Sequence, residues 1–297
     1  MSKLYILTVA TKIDYYLPWL IESCKKNNNN LIILGLGMEW QGYNWRNKLI
    51  LNFLKTINDN DIVCVIDGYD IICTRDLNEL KTEFLKLYYK HNCKIITGSD
   101  TKFKYDIYGY MNHYLLMGMC NYNFLNAGTY IGHAKDLKYI INNIYNLNPN
   151  DNADDQELMT QYCSLNKEEF YIDTNNDIFF TFVYPLKELS ELVEIKNNNV
   201  YYKNKKPFFV HANVCGLLNN IIIKLGYNIT KKEIKDIYTK LKKNKNDKSK
   251  YYSNMLKYNN TKNKYYDNIQ FIFLILFLLT LYFFMIMFIK LHLLYRS

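Results

Sequence analysis

Along the first 215 positions apolar residues come in short runs, and the stretches between those runs have a different period. Leu4–Thr8, Leu31–Leu36 (closed by Gly37) and Ile62–Ile66 are apolar runs of strand length. Between them, Tyr15–Lys25 is amphipathic, and Trp45–Thr56 sets Trp45, Leu49 and Phe53 four apart with Ile50 and Leu54 beside them, which is helical spacing. Leu77–Tyr89 is again helical and Lys94–Thr97 again a strand. Strands spaced by helices of about 12 residues indicate βαβ units, so the pattern predicts an α/β fold with a largely parallel sheet. The second half is less regular. Phe124–His133 reads as a strand with a Gly-containing turn, Leu137–Tyr145 and Gln156–Cys163 as helices, and Phe208–His211 as a last short strand.

Beyond residue 230 the pattern changes. Phe271–Ile289 is apolar except for Thr280, close to the length a helix needs to cross a bilayer core. The sequence therefore divides into a head (1–230), a Lys-rich stalk (231–267), a transmembrane helix (268–290) and a short tail (291–297). No signal peptide is visible at the N-terminus. The stalk lysines favour a cytosolic head by the positive-inside rule, with Lys290 and Arg296 weakening the contrast.

Charge reads differently once that division is made. The 297 residues carry a net charge of +9, which would suit a nucleic-acid binder if it were spread along the chain. Residues 231–267 hold about 12 Lys against four acids, so the head is close to neutral and no nucleic-acid partner is expected. Hydrophobic residues make up 49% and charged residues 22%, which excludes a disordered polyelectrolyte. The Asn runs at 27–30 and 197–199 read as compositional drift, and the Asn228 and Asn259 sequons as chance in so Asn-rich a chain. The seven Cys are scattered singly without a CxxC pair, so neither a zinc site nor a disulfide framework is expected.

In open parallel sheets ligands sit beyond the carboxyl ends of the strands. Asp67-Gly68-Tyr69-Asp70 leaves the run Ile62–Ile66 with two carboxylates and no Lys or Arg between them. They repel each other unless a cation sits there, and a hard divalent metal holding a diphosphate would supply it. Equally, one Asp could cap the following helix while the other is solvated. Asp154-Asp155-Gln156 opens a predicted helix; one Asp suits an N-cap, and a second carboxylate plus an amide exceed what a cap requires. At Val210-His211-Ala212-Asn213 a strand ends on an imidazole, and carboxylates with imidazole suit Mn²⁺. A haloacid-dehalogenase phosphatase also begins at a strand ending in paired Asp, but its DxD[TV] pattern is absent here.

Several blocks resemble, in order, the glycosyltransferase domain of the procollagen-lysine hydroxylases and their collagen glycosyltransferase relatives. They are Leu7–Thr11, Leu34–Trp40, Val65–Ile71, Phe124–Gly132, Asp154–Gln156 and Val210–Asn213, and the resemblance covers roughly residues 3–215. It implies a GT-A-like fold, a Rossmann-like nucleotide half merged with an acceptor half, using Mn²⁺ and a UDP-sugar. It further implies Asp67, Asp70 and His211 as metal ligands, Thr8, Val9, Ala10 and Thr11 along the uridine and ribose, and Tyr69 stacked near the base. Trp40 would sit by the nucleotide-sugar pocket, Lys48 would face phosphate, and Asn126 would face the sugar. Asp154 and Asp155 would hold acceptor or donor sugar hydroxyls, one of them orienting the attacking hydroxyl, and Gln156 and Asn213 would belong to the substrate- and nucleotide-binding residues. The implied donor is UDP-glucose or UDP-galactose, and the implied acceptor hydroxylysine or galactosyl-hydroxylysine of a collagen-like protein. No hydroxylase domain fits in the residues left, so no iron or 2-oxoglutarate requirement is expected. Two departures stand out. Where the family resembles HGNGPTK, this chain has Val214 and Leu217 in place of a Gly and the Lys, and its block after Thr97 reads Ser99-Asp100-Thr101-Lys102-Phe103. A membrane-anchored scaffold that keeps the shell without turnover is the competing reading. Relatives that modify collagen work in a secretory lumen, which conflicts with a cytosolic head.

Overall fold

The computed structural model describes residues 2–100, 119–121, 123–183, 186–213 and 215–244. The central sheet has the order β2-β1-β3-β6-β5-β7, formed by β1 (Leu4–Val9), β2 (Leu31–Leu34), β3 (Ile62–Ile66), β5 (Ile95–Ser99), β6 (Leu125–His133) and β7 (Phe170–Asp173). β1 pairs in parallel with β2 and β3, and β5 with β7. β6 runs antiparallel to both β3 and β5. The largely parallel sheet expected from alternation is therefore a mixed one, because apolar periodicity records that a segment is a strand and not which way it runs. Nor does β6 contain the expected turn. It is continuous, and its register against β5 jumps from Thr97↔Tyr130 to Gly98↔Asn126, so Ala127-Gly128-Thr129 bulges away from β5, with Thr129 still paired to Ile66 at the end of β3.

Successive residues of each strand point to opposite faces, and each face is covered by helices. On one side Leu7, Val9, Val63, Val65 and Tyr130 pack against α2 (Trp45–Leu54), α4 (Ala134–Leu147) and α5 (Asp155–Leu165). On the other, Ile6, Ile62, Cys64, Ile66 and Ile131 meet α1 (Leu17–Lys26, with Pro18 in its first turn) and α3 (Leu80–His91).

A second small sheet places β11 (Phe209–His211) between β4 (Ile71–Cys73), antiparallel, and β8 (Phe179–Thr181), parallel. Because β4 begins one residue after Asp70 and His211 pairs with Ile71, this sheet carries the His to the end of β3. A hairpin of β9 (Glu194–Lys196) and β10 (Asn199–Tyr201) turns through Asn197 and Asn198, with φ of 49° and 58°. Such a two-residue turn needs left-handed residues at both positions, which Asn tolerates, so this Asn run is turn chemistry where compositional drift was expected. Asn28 (φ 66°) does the same after α1.

Cys120 and Cys163 form a disulfide, contrary to the expectation from their isolation in sequence; their Cα atoms lie 5.8 Å apart. The pairing depends on α5 lying beside the segment that leads into β6, which the spacing of the cysteines does not encode.

Residues 1–242 form one compact unit. After α6 (Asn219–Lys224), a helix over 231–244 starts at a reciprocal cap in which the Thr230 amide donates to Glu233 and the Glu233 amide to the Thr230 hydroxyl. Its Ile237 and Leu241 are buried with Trp19, Ile221 and Ile222. The Lys-rich segment expected as a stalk from 231 thus begins as a helix packed on the head. Among the described residues no helix is long and apolar enough to cross a membrane; the run Phe271–Ile289 lies outside them.

Candidate active site

Asp67 and Asp70 leave the end of β3, and β11 sets His211 beside them, with the Ala212 amide donating to the Asp70 carbonyl at 2.8 Å. One ligand atom from each of the three lies within 4.8 Å of the others, an arrangement able to hold a metal ion. His211 Nε2 is 3.3 Å from Asp70 Oδ1 and 3.7 Å from Asp67 Oδ2, and the ring is fully buried. Neither ring nitrogen has a hydrogen-bond partner among the described residues. A buried imidazole that makes no well-aligned hydrogen bond costs free energy, and a cation between it and the two carboxylates would remove that cost. Burial disfavours the imidazolium, but Asp70, then Asp67 and Asp100, outweigh it and hold the His211 pKa above its ordinary value. Gly128, in the β6 bulge, closes the site from below: a Cβ there would lie 2.2 Å from Asp67 Oδ2 and 3.1 Å from His211 Cε1.

Two further groups complete the site, and neither was among the residues expected from sequence. Arg46, in the first turn of α2, donates from Nη1 to Asp67 Oδ1 at 2.8 Å and to Asp155 Oδ2 at 3.3 Å. Burial works against the guanidinium charge, and Asp67 and Asp155 more than compensate for it. Asp100, buried at the end of β5, accepts hydrogen bonds from Asn126 Nδ2 (3.0 Å) and Asn213 Nδ2 (3.1 Å). Burial pushes its carboxyl up to about 6, against the pull of His211 and the two amides.

Both were legible. Arg46, Ile50 and Leu54 are four apart and so share a face, and a face carrying Ile50 and Leu54 is a buried one. Asp100 follows a strand just as Asp67 does.

The remaining expected residues separate into groups. Asn126 and Asn213 join the site through Asp100, and Asp155 through Arg46. Burial pushes the Asp155 carboxyl up to about 7, with Arg46 opposing. Asp154 caps α5, accepting from the Gln156 and Glu157 amides. Gln156 is fully used on β6: its Oε1 accepts from the Ala127 amide at 2.8 Å and its Nε2 donates to the Leu125 carbonyl at 2.6 Å. Lys48 pairs with Asp151 at 2.6 Å, clamping α2 to the loop before α5. Thr8, Val9 and Ala10 are buried, Thr8 and Ala10 beneath Gly68, and only Thr11 is partly open to solvent. The Tyr69 hydroxyl accepts from the Thr11 and Lys12 amides and so holds the loop after β1, while its ring packs on Tyr15. Trp40 is exposed, edge-on to Tyr43 and Trp45. Val214 lies outside the described residues. Leu217 is a core residue whose amide donates to the Lys187 carbonyl, so its side chain does not replace a phosphate-facing Lys in kind.

An α/β chain that gathers two carboxylates and a buried imidazole at one strand end has the equipment of a metal-assisted transferase. The chain belongs to the PLOD GT domain family, whose model matches residues 1–243, and it is a glycosyltransferase. It is 26% identical over 232 residues to the multifunctional procollagen lysine hydroxylase and glycosyltransferase LH3 of Rattus norvegicus, covering 71% of this chain and 30% of that protein. The Caenorhabditis elegans multifunctional procollagen lysine hydroxylase and glycosyltransferase is 23% identical over 72% of this chain and 30% of its own length. Uncharacterized protein R699 of Acanthamoeba polyphaga mimivirus is 24% identical over 64% of this chain and 41% of its own. The chain thus spans less than half the length of these relatives. A solved structure of a glycosyltransferase involved in glycosylation of the major capsid of PBCV-1 overlaps with a TM-score of 0.45 at 13% identity, over 70% of this chain and 92% of that one.

Proposed function

We propose that this protein is a Mn²⁺-dependent hexosyltransferase of GT-A type, moving glucose or galactose from a UDP-sugar to a hydroxyl of a collagen-like acceptor, hydroxylysine or galactosyl-hydroxylysine. The observation that carries the metal is the buried His211 set against the carboxylates of Asp67 and Asp70, with one ligand atom of each within 4.8 Å of the others. Bound there, the metal would supply Lewis-acid stabilisation to the departing diphosphate, so that no strong general acid is needed. The chain's own residues do the rest. Tyr69 fixes the loop that ends in Thr11, along which the nucleotide would lie. Asp155, buried and pushed up to about 7, suits accepting the proton of an attacking hydroxyl near neutrality. Asn126 and Asn213, oriented by Asp100, would turn towards the sugar.

The test uses the full chain in detergent micelles, measuring UDP release from UDP-glucose and UDP-galactose with Mn²⁺ or EDTA, and UDP binding by calorimetry. Metal-dependent release that disappears in Asp67→Asn/Asp70→Asn is the expected result. A folded protein that neither releases nor binds UDP with Mn²⁺ present would hand the site to the scaffold reading.

We also propose that Phe271–Ile289 anchors the protein in a membrane and that the head faces an oxidising lumen. The Cys120–Cys163 bridge supports the lumen, since disulfides persist in oxidising compartments, and it weighs against the cytosolic side favoured by lysine distribution. Alkylation of protein taken from its native cell, followed by mass spectrometry, should find both cysteines blocked. Free thiols at both positions would return the head to the cytosol.

A further inference from the structure

We infer that Arg46 is a positioning residue that fixes Asp67 as a one-oxygen metal ligand and ties it to Asp155, so that the metal site and the acceptor-side carboxylate are set by one guanidinium. This rests on the metal reading above and adds a residue to it.

The two oxygens of Asp67 face different partners. Oδ1 accepts from Arg46 at 2.8 Å; Oδ2 faces His211 and lies against the open position above Gly128. With Oδ1 occupied by Arg46, Oδ2 is the oxygen turned towards His211. The same Nη1 reaches Asp155 Oδ2 at 3.3 Å, and the side chains of Arg46 and Asp155 are 10% and 12% exposed. A guanidinium this enclosed needs its charge matched, and removing it leaves the buried Asp155 carboxyl without the partner that favours its ionised form.

The placement of Arg46 is itself fixed from behind. The Asn44 and Trp45 amides both donate to the Asp151 carbonyl, Asn44 Nδ2 donates to the Asn148 carbonyl, and Lys48 pairs with Asp151. The close approach at Gly42, where a Cβ would lie 2.2 Å from the Asp151 oxygen, seals the same seam. These contacts dock the N-terminus of α2 on the loop leading into α5, which is what brings Arg46 within reach of both Asp67 and Asp155. Lys48, expected to face phosphate, serves this seam, and among the described residues Arg46 is the guanidinium at the site.

Groups that orient metal ligands typically change metal affinity by about 10–100-fold when removed. The experiment is a Mn²⁺ titration of the full chain, following free Mn²⁺ by electron paramagnetic resonance, with turnover measured alongside. Arg46→Met should weaken Mn²⁺ binding by about tenfold or more, and Arg46→Lys, which keeps the charge but not the fork, should recover part of that loss. Should Arg46→Met fail to fold through its unpaired Asp155, the comparison becomes Arg46→Met/Asp155→Asn against Asp155→Asn, which removes the unpaired carboxyl from both. Equal Mn²⁺ affinity in either comparison overturns the inference. If the wild-type chain itself binds no Mn²⁺, the failure lies with the metal reading.

Discussion

A single methyl group added at Gly128 is expected to abolish the metal-dependent turnover proposed for this protein. The Cβ of Gly128→Ala would stand 2.2 Å from Asp67 Oδ2, 2.7 Å from Asp67 Cγ and 3.1 Å from His211 Cε1, far inside contact distance for the carboxylate. The backbone cannot yield easily, because the Gly128 carbonyl accepts from the Asp67 amide at 2.8 Å and Thr129 is locked opposite Ile66 in the ladder. Asp67 must therefore swing its carboxylate away, out of line with His211 and off Arg46. The expected result is a Mn²⁺ affinity lower by about 100-fold, the upper end of what orienting groups contribute, with UDP release falling alongside. Loss of stability should be about 1–3 kcal/mol, the ordinary cost of overpacking. A double-mutant cycle separates the two effects. Gly128→Ala should destabilise the wild type but scarcely affect an Asp67→Ala background, where the clashing oxygens are gone. Unchanged Mn²⁺ affinity in Gly128→Ala would falsify this account of the site.

What the sequence carries and what it leaves out divide along a physical line. Elements were legible where burial repeats at a fixed period: β1, β3, α2 and α4 lie where the apolar pattern places them. Candidate chemistry was legible where a strand delivers it, as at Asp67, Asp70 and His211, because ligands sit beyond the carboxyl ends of the strands and two carboxylates left together there repel each other without a cation. Strand direction was not, since β6 has the same alternation whichever way it runs. The short strands β4, β7 and β8 carry too few residues to show a period, and they are held by neighbours far away in sequence. Arg46 and Lys48 show the difference at the level of one turn. Both are cations at the start of the same helix, and a family resemblance favours Lys48. The helical face decides otherwise, for Arg46 lines up with buried Ile50 and Leu54, while Lys48 lies off that face and reaches a loop. Asp154 and Asp155 divide similarly, the first used by the backbone as a cap and the second turned inward to Arg46.

Asp173→Ala should produce the largest loss of stability of any single substitution considered for the head, although it lies outside the site. The Asp173 side chain is buried at the end of β7, and its carboxylate accepts from three backbone amides in the turn to β8: Asp177 at 3.0 Å, Ile178 at 2.7 Å and Phe179 at 3.0 Å. No water reaches the Ile178 and Phe179 amides to replace it, since both residues are fully buried. Bonds to a charged acceptor contribute about 1.5–3 kcal/mol each, and stranding buried donors costs the desolvation penalty in full. Two buried donors and one partly buried one therefore put the loss at about 4 kcal/mol, a fall in Tm of about 8–16 °C for a unit of this size. The consequence extends to chemistry through the small sheet. β8 begins at Phe179 and pairs with β11 through Phe179↔Phe209, Phe180↔Val210 and Thr181↔His211, so the turn that Asp173 holds sets the strand on which His211 rests. Asp173→Asn, which keeps the shape and a neutral acceptor but adds donors with nowhere to go, should recover only part of the stability. Thermal melts and Mn²⁺ titrations of both variants separate the contributions. If Asp173→Ala melts within a degree or two of wild type, the turn is held by something other than its carboxylate. If it melts low yet binds Mn²⁺ normally at low temperature, the small sheet keeps His211 in place without that support.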